Sequence, residues 1–320
     1  MSSLDRPRVS LLDDTSSEFA AEVLKGLSAA SKSLPCRFFY DAVGSELFED
    51  ITRTKDYYPT RTETAILRDH AVDLVEGSAG ALLVEFGSGS SIKTELLLEQ
   101  ARDLCAYVPI DVSPSALAGA VRRLGERFPD LHVEPVVGDF TTQIVLPPEY
   151  AGAPRIGFFP GSTLGNFAPL QAQTLLRTLA ATLGKGARLI LGVDLRKDAR
   201  RLIAAYNDDE GVTAAFNLNL LARINRELRG NFDLQFFRHE AVWNSRASRV
   251  EMYLISERAQ TVEILWRSFQ FAAEERIHTE NSHKFTPDGL AELARPAGWQ
   301  LECTYFDAER LFAVCDLTAQ

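Results

Sequence analysis

Three short segments of this 320-residue chain carry residue types that could hold a nucleoside. A Gly-Ser-Gly turn occupies residues 87–89 between an apolar run and an amphipathic run, Asp111 ends the next apolar run, and Gly-Asp-Phe at 138–140 ends a third. A glycine turn between a strand and a helix presents backbone amides at a helix N-terminus. The acid can accept ribose hydroxyls and the aromatic ring can lie against a base.

The runs around these segments predict a doubly wound α/β fold. Apolar runs rich in β-branched and aromatic residues predict strands at 81–86, 105–112, 132–140, 155–161 and 187–195. Amphipathic runs between them predict helices at 91–104, 113–128 and 168–186. This alternation is typical of a parallel sheet wound with helices, and ligands of such sheets bind at the carboxyl ends of the strands.

After residue 195 the alternation stops. Helices are predicted at 197–211 and 212–228 with a break at 208–211, followed by meander strands at 239–244, 249–256 and 261–271 and a closing hairpin at 302–317. The sequence thus predicts a helix-plus-strand unit inserted before the last strands of the sheet. Residues 1–60 have no obvious place in the sheet.

The glycine turn narrows the choice of cofactor. A dinucleotide fingerprint requires a third glycine three residues after Gly89, and Ile92 stands there instead, which disfavours a nicotinamide cofactor. A plain tight turn is the alternative reading of the glycines, and Asp111 could be a helix N-cap, although Ser113 could fill that role. The combination at successive strand ends favours S-adenosylmethionine. The expected cofactor-binding residues are Glu85, Gly87, Ser88, Gly89, Lys93, Asp111, Gly138, Asp139 and Phe140.

Composition excludes several classes of partner. The 44 acidic and 34 basic side chains give a formal net charge of -10, which disfavours nucleic acid and anionic membrane surfaces. The polar, acid-containing N-terminus lacks the apolar core of a signal peptide, and no run is long enough to span a bilayer. The four scattered cysteines and five histidines show no metal-ligand spacing, so we expect no metal, no disulfide and a cytoplasmic location.

The chain resembles the histidine-specific, S-adenosylmethionine-dependent Nα-methyltransferases of ergothioneine biosynthesis. The most specific motif is Tyr-Tyr-Pro-Thr-Arg-Thr-Glu at 57–63. The other matching blocks lie at residues 38–45, 85–91, 161–166 and 279–282. The resemblance covers nearly the whole chain. It implies a Rossmann-like class I methyltransferase domain made of residues 61–195 and 287–320, and an inserted α+β substrate domain made of residues 8–60 and 196–286.

The resemblance also implies a histidine pocket in a cleft between these domains. Asn166 and Tyr57 are expected to contact the amine and carboxylate of the amino acid, with Tyr206 closing on the carboxylate. Tyr40 is expected near the amine, which makes Tyr40 and Asn166 the expected catalytic residues. The remaining pocket residues are Phe216 at the methyl region and Met252, Glu280 and Ser282 around the imidazole.

Each pocket residue also has a purely structural interpretation. The tyrosines and Phe216 could be core aromatics, Asn166 a turn residue, Met252 a strand core residue and Glu280 a solvated charge. Their joint occurrence inside matching blocks favours the functional interpretation. An imidazole offers one hydrogen-bond donor and one acceptor, which a carboxylate and a hydroxyl can satisfy together.

The expected reaction is transfer of three methyl groups from S-adenosylmethionine to the α-amine of L-histidine, giving the trimethylated betaine hercynine and S-adenosylhomocysteine. We expect the protein to act as a monomer on this small-molecule substrate. One alternative is the same chemistry on another free amino acid or related small amine, because pocket residues rather than the fold decide the substrate. A noncatalytic S-adenosylmethionine-binding protein and a nicotinamide oxidoreductase are the alternatives from other classes.

Overall fold

A computed structural model describes residues 14–89 and 91–320, with side chains from residue 18 onward. The first residues of the predicted substrate domain, 8–13, and Ser90 of the predicted cofactor turn lie outside the described residues. The chain divides into two compact units. The smaller unit comprises residues 14–54, 206–242 and 251–280, and the larger comprises 55–89, 91–205, 243–250 and 281–320.

The regular elements alternate as the sequence predicts in the first two thirds of the chain. The helices are α1 (Asp14–Ser28), α2 (Ala42–Arg53), α3 (Pro59–Leu74), α4 (Ile92–Leu98), α5 (Pro114–Arg127), α6 (Pro169–Leu183), α7 (Ala199–Tyr206), α8 (Val212–Leu228) and α9 (Pro287–Ala294). The strands are β1 (Leu82–Phe86), β2 (Ala106–Asp111), β3 (Val136–Val137), β4 (Arg155–Phe159), β5 (Arg188–Asp194), β6 (Phe237–Asn244), β7 (Arg249–Ser256), β8 (Gln260–Ile264), β9 (Arg267–Phe271), β10 (Arg276–His283), β11 (Trp299–Phe306) and β12 (Phe312–Ala319).

The larger unit is built on a seven-stranded sheet of order β11-β12-β5-β4-β1-β2-β3. The strands β1 to β5 run parallel, and β12 pairs antiparallel with both β5 and β11. Every residue of β1 is buried, as expected for a parallel strand that is covered on both faces. This topology confirms the predicted doubly wound, Rossmann-like α/β fold with a closing hairpin.

Two apolar clusters pack against this sheet. Alternate residues of β1 belong to different clusters, because successive side chains of a strand point to opposite faces. One cluster includes Phe159 and Trp299, and the other includes Tyr107 and Phe312. The indole of Trp299 donates a 2.8 Å hydrogen bond to a backbone carbonyl of α6, which satisfies its polar atom within the core.

The structure corrects the predicted elements at four places. The strand predicted at 132–140 is reduced to the two residues of β3, and the helix predicted at 91–104 ends at Leu98. The strand predicted at 261–271 is two strands, β8 and β9, joined by a two-residue turn at Leu265 and Trp266, both with positive φ. Such turns normally carry Asn or Gly, so this turn has no signal in the sequence. Strand β10 was not predicted, although the Thr-Glu-Asn-Ser block lies on it.

In the smaller unit, α2 and α8 meet around one carboxylate. Asp41 caps α2 by accepting a 2.7 Å hydrogen bond from the Gly44 amide, and it also accepts one of 2.8 Å from Asn219 of α8. A side chain at Gly44 would lie 1.7 Å from the Phe39 carbonyl oxygen, so only glycine fits there. Strands β10, β7 and β6 form a three-stranded sheet in that order, and β8 pairs with β9 in a hairpin. Among the described residues, no helix combines the length and apolar character needed to cross a membrane.

One buried carboxylate ties three elements of the larger unit. Glu63 of α3 is fully buried, accepts hydrogen bonds of 2.9 and 3.0 Å from the Gly161 amide after β4, and forms an ion pair with Lys93 of α4. A Cβ at Gly192 of β5 would lie only 1.9 Å from the nearer Glu63 carboxylate oxygen. The carboxylate therefore occupies space that exists because residue 192 has no side chain.

We expect Gly192→Ala to lower the free energy of unfolding by roughly 1–3 kcal/mol, because the new methyl group displaces a buried carboxylate that cannot swing into solvent. Gly119→Ala is the matched control. Gly119 lies within α5 with open space around it, so alanine should raise stability by about 0.5–1 kcal/mol. Urea unfolding of both variants measures the difference, and equal effects would contradict the packing interpretation.

Candidate cofactor and substrate site

The turn after β1 brings bare backbone to the edge of the sheet. Gly87 and Gly89 have φ values of +71° and +48°, which L side chains rarely adopt. A Cβ at Gly87 would lie 3.1 Å from the ring of Phe140, whereas one at Gly89 would meet open space. The Ser88 hydroxyl is buried and makes no hydrogen bond with any described residue. The turn thus presents a backbone surface and a buried polar group.

Asp111 lies at the end of β2 beside this turn. Its carboxylate accepts hydrogen bonds of 2.9 Å from the Gly89 amide and 2.9 Å from the Ser113 amide. Ser113 caps α5 by accepting from the Ala116 amide, so Asp111 is not needed as the side-chain cap of that helix. A carboxylate has about four acceptor positions, and two therefore remain for the hydroxyls of a ribose.

The predicted Gly-Asp-Phe segment follows β3. The Gly138 amide donates a 3.0 Å hydrogen bond to the backbone carbonyl of Asp111, which joins this segment to the end of β2. The Asp139 side chain is exposed and accepts from the Thr141 amide at 2.8 Å. The Phe140 ring is half-buried, with its centroid 5.3 Å from that of Phe159 in an edge arrangement. The three predicted strand-end segments therefore lie together in the larger unit.

These residues suit S-adenosylmethionine. A buried hydroxyl at Ser88, backbone that no side chain covers at Gly89, an acceptor pair at Asp111 and an aromatic ring at Phe140 match the groups of a nucleoside. The assignment of individual residues to parts of the cofactor remains a prediction.

Behind the turn, Glu85 belongs to a fully buried polar cluster. It accepts a hydrogen bond from the Tyr107 hydroxyl, and that hydroxyl also lies 2.9 Å from the Ser91 hydroxyl. Burial raises the pKa of Glu85 to about 7, although the hydrogen bonds from Thr94, Tyr107 and Ser91 oppose the shift. Ser91 has a φ of +53° at the start of α4, so this cluster fixes the point at which the turn becomes a helix.

Lys93 is the predicted cofactor-binding residue on α4. In this structure its ammonium pairs with Glu63, which also holds the Gly161 amide. Gly161 begins the segment that ends at Asn166, a predicted substrate contact. Glu63 therefore links α4, the helix that follows the cofactor turn, to this segment through Lys93 and the Gly161 amide.

The segment from Gly161 to Asn166 is fixed by the end of β5. The Asp194 amide donates a 2.9 Å hydrogen bond to the hydroxyl of Ser162, a residue with a φ of +58°. A Cβ at Gly165 would lie 2.8 Å from the backbone carbonyl of His283, so the segment passes directly against the chain that follows Ser282. Asn166 is half-buried and ends the short 3-10 helix formed by residues 163–166.

The Asp194 carboxylate gathers three donors in the interior of the larger unit. Tyr58 donates to it at 2.8 and 2.9 Å, Lys284 lies 2.8 Å from it, and Lys197 also pairs with it. Burial would raise the pKa of Asp194, but the ammonium groups of Lys284 and Lys197 lower it. Burial lowers the pKa of Lys197 to about 8 against the attraction of Asp194. In the sequence, Tyr58 of this cluster directly follows Tyr57, and Lys284 lies two residues after Ser282.

Ser282 and Tyr57 are the other predicted substrate contacts in the larger unit, and both are buried. The Ser282 hydroxyl accepts a 2.7 Å hydrogen bond from the Lys284 ammonium. Tyr57 precedes Tyr58, whose hydroxyl is fixed by Asp194 and Lys197. Both predicted contacts are thus next to residues held by one carboxylate.

The smaller unit holds the predicted aromatic residues of the methyl region. The ring of Tyr40 contacts Phe216 with a centroid distance of 5.8 Å and Phe48 with one of 5.6 Å, both edge-on. Phe216 also packs against Phe39 at 4.6 Å. Phe216 is buried, whereas Tyr40 is 46% exposed and therefore has ring surface available to a ligand.

One histidine of β6 contacts Tyr206 and Asn217, the residue that follows Phe216 on α8. The His239 Nε2 lies 2.8 Å from the Tyr206 carbonyl, and its Nδ1 lies 2.8 Å from the Asn217 side-chain nitrogen. A carbonyl can only accept, so Nε2 donates, and Nδ1 accepts from the amide. Burial lowers the pKa of His239, which favours this neutral form. The imidazole thus joins the end of α7 to the helix that carries Phe216.

Met252 and Glu280 are the last predicted pocket residues. Met252 is buried on β7, and its carbonyl accepts a 3.2 Å hydrogen bond from the Thr279 hydroxyl of β10. Glu280 is half-buried on the same strand. Burial, together with the negative charge of Glu280, raises the pKa of the Cys36 thiol to about 12. The thiol therefore stays protonated near Glu280 at neutral pH.

Sequence reasoning missed the buried polar residues that hold these segments: Tyr58, Glu63, Tyr107, Asp194, Lys197, His239 and Lys284. Glu63 and Tyr58 had the strongest signal in the sequence, since both lie in the specific 57–63 motif. Asp194 ends a predicted strand, which was a weaker signal.

The raised pKa of Glu85 implies a pH dependence of stability. Between pH 4.5 and about 7 the folded chain retains a proton that the unfolded chain has released, so stability falls as pH rises through this window. We expect wild-type protein to lose roughly 1–3 kcal/mol more than Glu85→Gln between pH 5 and pH 8, because glutamine does not titrate. Urea unfolding at both pH values measures this difference. Parallel losses in the two proteins would show that Glu85 does not titrate in this range.

Comparisons with known proteins agree with this geometry. The chain is 45% identical over 297 residues to a histidine N-alpha-methyltransferase of Mycolicibacterium smegmatis, covering 89% of this chain and 92% of the relative. It is 43% identical over 279 residues to the enzyme of that name from Mycobacterium tuberculosis, covering 85% and 86%. It is 28% identical over 279 residues to ergothioneine biosynthesis protein 1 of Neurospora crassa, covering 83% of this chain and 31% of that longer protein.

A family model described as histidine-specific methyltransferase, SAM-dependent, matches residues 19–319. This match spans the turn after β1, the Glu63 motif, the segment that ends at Asn166 and strand β10. The chain therefore belongs to the family of histidine-specific, S-adenosylmethionine-dependent methyltransferases.

Proposed function

We propose that the chain transfers three methyl groups from S-adenosylmethionine to the α-amine of L-histidine, giving hercynine in the first step of ergothioneine biosynthesis. The observation that carries this proposal is the match of the histidine-specific family model to residues 19–319, which include all the residues expected to bind cofactor and substrate. The protein acts as a monomer in the cytoplasm. Its four cysteines are free thiols, which is compatible with a reducing compartment.

The larger unit binds the cofactor and supplies two of the residues expected at the amino-acid end of the substrate. Asp111 accepts from the ribose, and Gly89 presents backbone to the ligand that no side chain covers. Tyr57 and Asn166 contact the carboxylate and the amine, and Tyr206 closes on the carboxylate. The positions of Tyr57 and Asn166 are supported by the Asp194 cluster and by the Glu63 carboxylate, which fix the neighbouring residues.

Orientation of the amine is the main contribution of the chain to the reaction. When bound, S-adenosylmethionine supplies a methyl group that its sulfonium has already activated. The protein must hold the amine nitrogen in line with that methyl group, after the ammonium has released its proton. Asn166 and Tyr40 act at the amine. The rings of Tyr40 and Phe216 attract the cationic methylated products by cation–π interaction.

The imidazole determines which amino acid is accepted. Glu280 accepts the ring N–H, Ser282 satisfies the other ring nitrogen and Met252 packs beside the ring. A side chain that leaves these polar groups unpaired is rejected, because a buried group without its partner costs free energy. The alternative substrate, another free amino acid or small amine, requires a different pairing of the same two residues.

Mass spectrometry tests the reaction directly. We expect L-histidine incubated with purified protein and S-adenosylmethionine to gain three methyl groups, while the other amino acids remain unchanged. Product on tryptophan or tyrosine instead would establish the alternative substrate. Binding of the cofactor without any product would identify a noncatalytic protein.

The double change Glu280→Ala with Ser282→Ala tests the imidazole pocket. We expect kcat/KM for histidine to fall by at least about 100-fold, since both polar contacts to the ring are lost. The KM for S-adenosylmethionine should stay within about twofold of wild type, because neither residue is expected to contact the cofactor. Unchanged turnover of histidine would show that these residues do not form the pocket.

A further inference from the structure

Lys284 is a fully buried ammonium that the proposed reaction does not use. Its side chain has no solvent exposure, and it forms an ion pair of 2.8 Å with the equally buried Asp194. Burying an ammonium is costly unless it is paired and hydrogen-bonded. A residue of this kind therefore calls for an explanation beyond core packing.

Neutralising Asp194 does not require Lys284. The carboxylate already has the ammonium of Lys197 and the hydroxyl of Tyr58 as donors. A second ammonium leaves two positive charges around one negative charge in the interior. Buried ion pairs contribute little net stability compared with apolar residues of similar size. The extra lysine is thus better explained by what else its ammonium contacts.

One further contact of the ammonium is Ser282. The Lys284 ammonium donates a 2.7 Å hydrogen bond to the Ser282 hydroxyl oxygen. An ammonium can donate but cannot accept, so the polarity of this bond is fixed. The Ser282 oxygen is the acceptor, and its hydrogen must point away from Lys284. The Ser282 O–H is therefore directed toward groups other than Lys284.

Backbone hydrogen bonds fix the position of Lys284 in the chain. Its amide donates to the Ser248 carbonyl at 2.7 Å, and its carbonyl accepts from the Ser248 hydroxyl at 3.0 Å. The next residue, Phe285, exchanges backbone hydrogen bonds of 2.9 Å with Asp194 and Arg196. Hydrogen bonds therefore fix the main chain at Lys284 and Phe285, and the ion pair with Asp194 fixes the ammonium at the end of the side chain.

We propose that Lys284 is a specificity-determining positioning residue that acts through Ser282, which it orients as a hydrogen-bond donor toward the substrate ring. This inference rests on the proposed function. Ser282 then donates to the unprotonated ring nitrogen of histidine, and Glu280 accepts from the ring N–H. The protein thereby selects a neutral imidazole with one particular nitrogen protonated.

A double-mutant cycle on Lys284 and Ser282 tests this proposal. We expect Lys284→Met and Ser282→Ala each to lower kcat/KM for histidine by roughly 10- to 100-fold, mainly through KM. The double variant should be no worse than the worse single variant, because Lys284 acts only through the serine hydroxyl. Losses that multiply would overturn the proposal.

Controls separate positioning from structural damage. Lys284→Met leaves Asp194 with Lys197 and Tyr58, so we expect it to fold and to keep the wild-type KM for S-adenosylmethionine within about twofold. Lys185→Met, a change at an exposed lysine in the turn before β5, should leave all parameters unchanged. A raised cofactor KM in Lys284→Met that matches the loss on histidine would show a structural role and would overturn the proposal.

Lys284→Gln provides the second variant. It removes the same charge but keeps an N–H donor beside Ser282, so we expect a smaller loss, roughly 3- to 10-fold, that disappears in the Ser282→Ala background. If Lys284→Met does not fold, the cycle of Lys284→Gln with Ser282→Ala tests the proposal instead. The proposal is overturned if Lys284→Gln does not lower kcat/KM for histidine, or if its effect persists in the Ser282→Ala background. Wild-type turnover of histidine is measured first, so a failure of the proposed function is recognised separately.

Discussion

The buried carboxylate of Asp194 is the interaction on which the substrate side of the larger unit depends. Its side chain receives Tyr58 from the start of α3, Lys197 from the connection to α7 and Lys284 from the end of β10. Its own amide holds Ser162. Four segments that are distant in sequence are thus fixed around one residue at the carboxyl end of β5. That end is where ligands bind to sheets of this kind.

A second buried carboxylate, that of Glu63, fixes residues on the cofactor side of the larger unit. Glu63 holds the Gly161 amide and the Lys93 ammonium, and its place exists only because residue 192 is glycine. Glu63 and Asp194 contact adjacent residues, since the Glu63 carboxylate accepts from the Gly161 amide and the Asp194 backbone amide donates to Ser162. The segment that leads to Asn166 is therefore held from both sides. Residues expected to bind cofactor and residues expected to bind substrate share this support.

The smaller unit uses the same principle with one imidazole and one carboxylate. The imidazole of His239 donates to the end of α7 and accepts from Asn217, so it can remain neutral and buried with both nitrogens satisfied. Asp41 joins α2 to α8 in a comparable way. These polar contacts hold α8, the helix that carries Phe216. An aromatic surface of this kind suits a ligand that becomes more cationic as it is methylated.

The sequence by itself determined the sheet and its edge. Strand runs, the Gly-Ser-Gly turn and Asp111 are local signals, because alternation, turn chemistry and strand-end acids depend on neighbouring residues. The topology of the larger unit confirms the fold that these signals predict. Local signals failed at the Leu265 and Trp266 turn, whose positive φ values no residue type indicates, and at β10, which lacks a clear apolar pattern.

Only the tertiary structure decided which polar side chains are buried together. Asp194 and Tyr58 are 136 residues apart, and Glu63 and Gly161 are 98 apart. In the sequence, a lysine such as Lys284 is indistinguishable from a solvated surface charge. Its role follows from complete burial and from the groups within hydrogen-bond reach, and both are properties of chain packing. A buried charge requires partners in three dimensions, and those partners are chosen by the fold rather than by neighbouring residues in the chain.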